Sequence, residues 1–589
     1  MKKIMNQPET LVREMCRGIV LAHPELEFNS KYKIIKKKDI NQDKVTLISG
    51  GGSGHEPAHA GFVGQGMLDA AVCGDVFASP SQIQVYQGLK ASASKKGTLM
   101  IIKNYSGDIM NFKNAAHLAG EDGLLVDYVK VDDDIAVEDS LYTVGRRGVA
   151  GTVFVHKIAG AAAEEGKELS EVKAIAQQAI DNTRSIGFAF TSCTVPAKGT
   201  PTFQLNDDEI EYGVGIHGEP GIRREKIASA DVLANKMVAD LLRDMKLSDS
   251  DHHEIALLIN GFGSSPLQEL YLLANSVVNA LKDKNITIFK VFVGNYMTSI
   301  DMAGASVTFM KLNDQLKHYL QASCYTPALQ VNGEFLPVHI EVAETLESQS
   351  DAEVSFRCET DSKYAVVQDN KFSLNNLIYL VDKMSEIIIE NEVPFCELDS
   401  HAGDGDFGMS VAKGFRQLKR EWAEIMEHHT TNIGDFLHAC SLIIMEHCGG
   451  ASGPIWGSAF RAASKSAGDK AELSAPEFAA MMQAVVKGIQ DTGERSFGRG
   501  AVVGDKTLVD ALAPFADAWV QSAEAGDDIK TAATKAAEAA VQGAKHTETI
   551  VARMGRAGTV GERSLGYPDA GAYALGVIFT ELAQVIEIK

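Results

Sequence analysis

The feature that most constrains this chain is a change of hydrophobic period partway along it. Up to about residue 330, apolar runs of strand length alternate with stretches of helical spacing. Strand candidates are 45–49, 98–104, 124–131, 254–259, 286–293 and 306–312, and 151–166 and 229–247 carry helical spacing. Several strand candidates are continuous apolar runs, such as Ile255-Ala256-Leu257-Leu258-Ile259, which suits strands buried on both faces. The pattern predicts an α/β region over 1–328, built as two subdomains. It then breaks down. A polar, acidic stretch around 341–351 follows Pro327 and Pro337, and 329–370 reads as an interdomain linker with some local structure. After Ser373 only helical spacing remains, over 374–391, 407–427, 434–447, 454–467, 475–491, 505–522, 527–547 and 569–587. The Ala-rich stretch 531–540 is a strong helix former. The expectation is an all-α domain over 371–589 with about eight helices, in a multidomain protein.

At 589 residues the chain is too long for one ordinary core. Its apolar runs are all shorter than the roughly 18–20 residues that span a bilayer, which excludes a membrane partner. Met1-Lys2-Lys3-Ile4 leads into no apolar stretch, so the start does not read as a secretory signal. Eight scattered cysteines without a C-x-x-C pair point to reduced thiols and a cytoplasmic setting, and against a disulfide framework or a thiolate zinc site. A net charge of -22 excludes nucleic acid as a general partner but leaves small anions open. Basic residues between 495 and 563, among them Arg495, Arg499, Lys506, Lys545, Arg553, Arg556 and Arg563, roughly balance the acids there. By charge alone, solvated helix faces explain them as well as a site does.

Three stretches of the first half carry candidate chemistry. A predicted strand runs into Ser49-Gly50-Gly51-Gly52-Ser53-Gly54-His55-Glu56-Pro57. Four glycines in five residues let backbone N–H groups approach a ligand closely. The spacing is neither that of a P-loop nor of a dinucleotide fingerprint. A tight strand-to-helix turn is the simpler alternative, and His55 directly after the glycines weighs against it. Lys103-Asn104-Tyr105-Ser106-Gly107-Asp108 ends another predicted strand, where open α/β sheets place ligands. Taken alone, Asp108 reads more readily as a helix cap than as a site residue. In Gly213-Val214-Gly215-Ile216-His217-Gly218-Glu219-Pro220-Gly221, a histidine among glycines is hard to explain by core packing.

In the second half, Asp399, Asp404 and Asp406 fall within eight residues just before a predicted helix. Oxygen ligands on a glycine-bearing loop suit a hard cation, with Mg2+ carrying phosphates the usual tenant. The spacing is not that of an EF-hand, and helix capping accounts for Asp404 or Asp406 but not all three. Gly449-Gly450-Ala451-Ser452-Gly453-Pro454 opens a further predicted helix with Pro454 at its first position, a ready anion site. Metal carboxylates and a phosphate cradle together indicate a nucleotide. Gly504-Asp505-Lys506-Thr507 and the stretch 555–564 could add fixed positive charge for phosphoryl transfer.

With these motifs in hand, the chain resembles the single-chain dihydroxyacetone kinases nearly end to end. The likeness is carried by 50–57, by Asp75-Val76-Phe77-Ala78-Ser79-Pro80, by 103–108 and 215–221, and then by the aspartate triplet, 449–453, 504–507 and 555–564. The resemblance implies an ATP-dependent kinase for dihydroxyacetone, with the keto-sugar in the first half and Mg-ATP in an eight-helix barrel in the second. It implies that His217 bonds to the substrate carbonyl as a hemiaminal, and that Gly52, Lys103 and Asp108 hold hydroxyls beside Phe77 and Ser79. Asp108 would be the base, with His55 as its partner. Asp399, Asp404 and Asp406 would carry Mg2+. Gly449, Gly450, Ala451, Ser452 and Gly453 would hold the phosphates, with Arg556, Arg563 and Asp569 near the nucleotide. Asp569-Ala570-Gly571 departs from the family's frequent Asp-Pro-Gly, which leaves the placing of Asp569 open.

The resemblance also implies a homodimer in which the ATP domain of one chain serves the sugar domain of the other. A kinase for erythrulose or glyceraldehyde is the nearest alternative, and cleavage of FAD is left undecided. A phosphotransferase-system version would have its domains on separate chains, so fusion favours free ATP exchange. A non-catalytic sugar sensor would be expected to have lost catalytic groups that are intact here.

Overall fold

The computed structural model describes residues 1–138, 144–340 and 354–589, with Arg556 described by its backbone alone. The chain forms two compact units, Met1–Val342 and Ala343–Lys589.

The first unit contains two six-stranded sheets. Strands β1 (Leu26–Asn29), β2 (Ile34–Lys37), β3 (Thr46–Ser53), β4 (Ala70–Val76), β5 (Thr98–Lys103) and β6 (Val126–Val131) form one sheet, in the order β1-β2-β4-β3-β5-β6. Its β4-β3-β5-β6 portion is parallel, and β2 and β1 add to it antiparallel. Strands β7 (Thr183–Ala189), β8 (Glu209–Tyr212), β9 (Arg223–Lys226), β10 (His253–Gly261), β11 (Ile286–Gly294) and β12 (Gly304–Lys311) form the other, in the order β11-β10-β12-β7-β8-β9. Only its β10/β11 pair is parallel.

Every residue of β3 and β5 is buried, as suits strands of a parallel sheet covered on both faces. Helices Gln82–Ser92 and Ser106–Glu121 cover the outer face of the first sheet through Val85, Leu89, Phe112 and Ala115. Helices Ala230–Asp244 and Leu267–Leu281 cover the outer face of the second. Between the sheets runs helix Thr152–Glu164, buried from Thr152 to Ala163. A helix apolar on all sides must be enclosed on all sides, and this one joins the two sheets into one continuous core. Strands β1, β2, β4, β7, β8 and β9 lie outside the strand candidates read from the sequence. Ala70-Ala71-Val72-Cys73-Gly74 has little β propensity, and its pairing between β2 and β3 decides its conformation.

Among the described residues, the second unit holds eight helices of 14–23 residues: Leu374–Glu390, Phe407–Arg420, Ile433–His447, Ser452–Ala467, Ala475–Phe497, Val509–Ala525, Ile529–His546 and Ala570–Val585. Each packs on the next and the last returns to the first, closing a barrel. Several details differ from the sequence reading. The expected helix over 407–427 divides at Glu421, and a short helix, Glu392–Asp399, precedes it. Strands do not vanish altogether after Ser373. Lys371–Ser373 pairs with Glu472–Ser474, and Val366–Val367 with Glu587–Ile588. Both flanks of the expected linker are also built into the units. Gln330–Val331 pairs with Cys324–Tyr325, and the buried carboxylate of Asp382 accepts from Glu359 N and Thr360 N at 3.0 and 2.9 Å. The acidic stretch 341–351 lies outside the described residues. Among the described residues, no helix is long and apolar enough to cross a membrane.

Candidate active site

The first site forms at the C-terminal ends of β3 and β5. Gly50, Gly51 and Gly52, expected as a loop after the strand, belong to β3 itself, which runs so close to the 75–80 segment that a Cβ on Gly52 would stand 2.6 Å from Ala78 N. Phe77 turns the chain at φ 58° and lays its ring on His55, with centroids 5.3 Å apart. A Cβ on Gly51 would lie 3.5 Å from both Asp108 Oδ2 and Lys103 Nζ, so the glycines, the lysine and the aspartate converge on one spot. His217, carried in on the loop after β8, brings its Nε2 to 3.2 Å from His55 Nε2. Gly52, Phe77, Ser79, Asp108 and His217 share one pocket, completed by Tyr105, Ser106 and Gly107.

Asp108 does not cap its helix. Tyr105 stands at the N-cap position, and Asp108 lies buried in the first turn facing the pocket. Burial raises its pKa, opposed by Lys103 and by the neighbouring Ser79 hydroxyl. Burial likewise lowers the pKa of Lys103, with Asp108 the chief opposing charge. Among the described residues, the buried atoms Lys103 Nζ, Asp108 Oδ1 and Tyr105 Oη have no hydrogen-bond partner. Such atoms are rare in folded interiors unless a ligand meets them.

His55 Nδ1 faces the Thr298 carbonyl at 2.9 Å. A carbonyl only accepts, so Nδ1 carries the proton and Nε2, when the ring is neutral, is a bare acceptor towards His217. Burial, then Lys103, then His217 hold His55 well below the ordinary histidine value. Burial, Lys103 and Arg147 do the same for His217. Both rings are therefore neutral near pH 7. Tyr105, Thr298 and Arg147 were given no role by the sequence reading. Tyr105 stood inside a singled-out motif, and a tyrosine between a lysine and an aspartate at a strand end was the available signal. Thr298 and Arg147 offered none.

The second site lies on the loops at one end of the barrel. Asp399 ends helix Glu392–Asp399, Asp406 stands before helix Phe407–Arg420, and Asp404 lies between. One oxygen from each falls within 4.8 Å of the others, a donor set of hard oxygens that fits Mg2+. Asp406 occupies the N-cap position but makes no side-chain capping bond, so capping does not explain it. Asp399 Oδ2 also accepts from Gly405 N at 3.0 Å, which folds the loop back on itself. Gly449 N donates to Ser410 O at 3.1 Å, tying the second glycine loop to the helix that Asp406 opens. Helix Ser452–Ala467 starts at Ser452, so Pro454 is its third residue and not its first. Gly450 turns at φ 54°.

Lys506 departs from expectation. It is buried, and its ammonium donates to the carbonyls of Ile550 (3.3 Å), Tyr567 (2.8 Å) and Ser564. It pins the 550–567 segment and is not left as charge for a phosphate. Arg563 is exposed on that segment, and the Arg556 side chain lies outside the described residues. Asp569 caps helix Ala570–Val585 through Ala572 N at 2.8 Å. Burial raises its pKa to about 7, with Asp510 and Asp399 adding to the effect and Lys506 opposing. His401 stacks on Tyr567 at 3.8 Å, joining the carboxylate loop to the pinned segment.

Comparison with known proteins agrees with both halves. The Dak1 domain family matches residues 17–328 and the DAK2 domain family residues 401–584. The first half is 51% identical to the dihydroxyacetone-binding subunit of PTS-dependent dihydroxyacetone kinase 1 from Listeria innocua, over 54% of this chain and 95% of that one. An L-erythrulose kinase from Pectobacterium atrosepticum is 33% identical across 100% of this chain and 97% of its own. The crystal structure of the dihydroxyacetone kinase from C. freundii in complex with AMP-PNP and Mg2+ superposes with a TM-score of 0.61 at 30% identity, covering 99% of both chains. With a Dak1 and a Dak2 domain in sequence, and full-length kinase relatives, this chain is a single-chain member of the dihydroxyacetone kinase family.

Proposed function

We propose that this protein transfers the terminal phosphoryl group of ATP to a hydroxyl of dihydroxyacetone. The observation that carries the reading is the trio of partnerless buried atoms, Lys103 Nζ, Asp108 Oδ1 and Tyr105 Oη: Tyr105 and Asp108 line the pocket with His217, and Lys103, outside that lining, converges with Asp108 on Gly51. A small polyhydroxy carbonyl compound satisfies them, with one hydroxyl donating to Asp108 and oxygens accepting from Lys103 and Tyr105. Neutral His217 adds a ring-nitrogen lone pair to the carbonyl carbon while the π electrons move to oxygen. The ring loses its remaining N–H proton and the alkoxide gains one, giving a neutral hemiaminal. Glycerol has no electrophilic carbon and cannot form this bond. Shape alone separates the two by only about 1–3 kcal/mol.

Asp108, kept desolvated, takes the proton from the attacking hydroxyl. Mg2+ held by Asp399, Asp404 and Asp406 would neutralise the triphosphate and the transferring group. The helix start at Ser452, with the glycines before it, would hold phosphate oxygens, and Arg563 would stand near the nucleotide.

Erythrulose is the second reading, favoured by the L-erythrulose kinase relative; the groups at this site recognise a carbonyl flanked by hydroxyls and do not count carbons. A coupled assay across dihydroxyacetone, both erythruloses, glyceraldehyde and glycerol decides between them. His217→Ala is expected to lose tight keto-sugar binding and most of the preference over glycerol while binding Mg-ATP normally. Full activity and selectivity in that variant would remove the covalent role.

A further inference from the structure

Arg147 is a buried guanidinium outside the chemistry described above, with its side chain only 2% exposed. Its Nε donates to Asp134 Oδ2 at 2.7 Å, its Nη2 to the Gly213 carbonyl at 2.9 Å, and its Nη1 to Glu219 Oε1 at 3.1 Å. The other oxygen of Glu219 accepts from the backbone N–H of His217 at 2.9 Å. Asp134 follows β6, and its own N–H donates to Arg147 O at 3.0 Å. One side chain therefore grips the histidine loop at both ends and fastens it to the sheet that carries Lys103. Gly215 lies directly under the pair. A Cβ there would stand 1.8 Å from Glu219 Oε1 and 2.6 Å from Arg147 Nη1, so the loop closes over the ion pair only with glycine at that position.

We infer that Arg147 is the positioning residue for His217, acting through Glu219 to fix the histidine's backbone and hold its ring against His55 and the sugar. The inference rests on the reading of His217 as the group that engages the keto-sugar. The geometry suits that purpose. A guanidinium meets three acceptors in fixed directions, whereas an ammonium acts as a point charge. Burial opposes the charge of Arg147, but Asp134 and Glu219 outweigh it and raise its pKa, whereas burial outweighs Arg147 at Asp134 and raises that carboxyl to about 6, so the guanidinium stays charged and Asp134 loses its charge only as the pH falls to about 6. The groups facing His217 are His55, Lys103, Tyr105, Asp108, Arg147 and Glu219. Arg147 is one of the two cations that keep this ring neutral, after burial itself and Lys103.

The test compares the full-length wild type with Arg147→Met, Arg147→Lys and Glu219→Gln. The readouts are sugar KM and kcat, ATP KM, the pH profile of kcat/KM, and the 13C spectrum of dihydroxyacetone labelled at C2. Arg147→Met is expected to lose about 100-fold in kcat/KM for the sugar, the scale of a small misplacement of a reacting group. Its ATP KM should not change, and the tetrahedral C2 resonance should weaken. Arg147→Lys should recover part of the loss. Removing the cation raises the pKa of His217, so the acid limb should move to higher pH. Glu219→Gln leaves the cation less compensated, so its acid limb should move to lower pH. A merely structural role produces no such opposed pair of shifts. If Arg147→Met does not fold, Glu219→Gln decides alone, and an unmoved limb with wild-type sugar KM overturns the assignment. His217→Ala is measured alongside. If it is fully active, the parent reading fails and this inference falls with it. If it is inactive while the Arg147 and Glu219 variants behave as wild type, only the positioning role is lost.

Discussion

At the scale of single residues, the proposed sugar site is a set of ionisable groups whose protonation is biased by burial and by one another. His217 is held below the ordinary value of 6.5 by burial, Lys103 and Arg147. A lowered pKa means that the neutral ring, the form able to add to a carbonyl, persists to more acidic pH. Dihydroxyacetone binding measured against pH should therefore be retained through 6.5 and lost only below it; loss centred at or above that value would contradict the burial-driven shift. The carboxylate trio allows an independent expectation. Asp404→Ala should abolish ATP turnover, because both metal affinity and stabilisation of the transferring group are lost. Sugar binding should be intact by calorimetry. Wild-type turnover at ordinary Mg2+ would reject the metal assignment. If the ATP unit of one copy serves the sugar site of another, as the family resemblance implies, then co-expressing the Asp404→Ala and His217→Ala chains should restore turnover that neither has alone.

At the scale of elements, both sites are made where a regular element stops. β3 ends in its own glycines and β5 at Lys103, helix Glu392–Asp399 runs into the carboxylate loop, and helix Ser452–Ala467 starts from the second glycine loop. The pinned segment 550–567 contains only short 3-10 turns and relies on long-range ties such as Lys506. Lys506→Met leaves three carbonyls without their shared donor, a loss of about 1–3 kcal/mol where they remain buried. The expected result is a higher KM for ATP, faster amide exchange confined to 550–567 and unchanged sugar binding. Unchanged exchange there would show that the segment is held by other means. The glycine end of β3, at the proposed sugar site, is less forgiving, because the neighbours that a Gly52 side chain would meet are backbone atoms of Phe77 and Ala78, which cannot rotate away.

At the scale of the whole molecule, each unit has its own core. The first is continuous through both sheets and helix Thr152–Glu164, and the second lies within the helical ring. Cutting between Val342 and Ala343 should yield two fragments that fold, one binding dihydroxyacetone and the other Mg-ATP. Mixed, they should recover part of the activity, reduced by the loss of the linker's effective concentration. Failure of both fragments to fold would count against this division.

Much of this was legible in the linear chain because it is local. The change of period after Ser373, the glycines around His55 and His217, and the carboxylates at 399, 404 and 406 are all read from residues within about ten positions of one another, where spacing alone limits the backbone. Strands β4 and β7 were not legible: the alanines of β4 become strand only when neighbours on both sides supply the hydrogen bonds, and Thr183-Arg184-Ser185-Ile186-Gly187-Phe188-Ala189 carries no apolar run. Nor could spacing show that Asp108 faces a pocket and does not cap a helix, or that Lys506 holds carbonyls and not phosphate. His55 meets Thr298 across 243 residues and His217 across 162, and Arg147 reaches Glu219 across 72. The sequence by itself determined which chemistry is present and on which kind of element it sits. Only the tertiary structure decided which groups meet, which are desolvated and which protonation state each holds, because desolvation and charge depend on everything within a few ångströms, most of it distant in the chain.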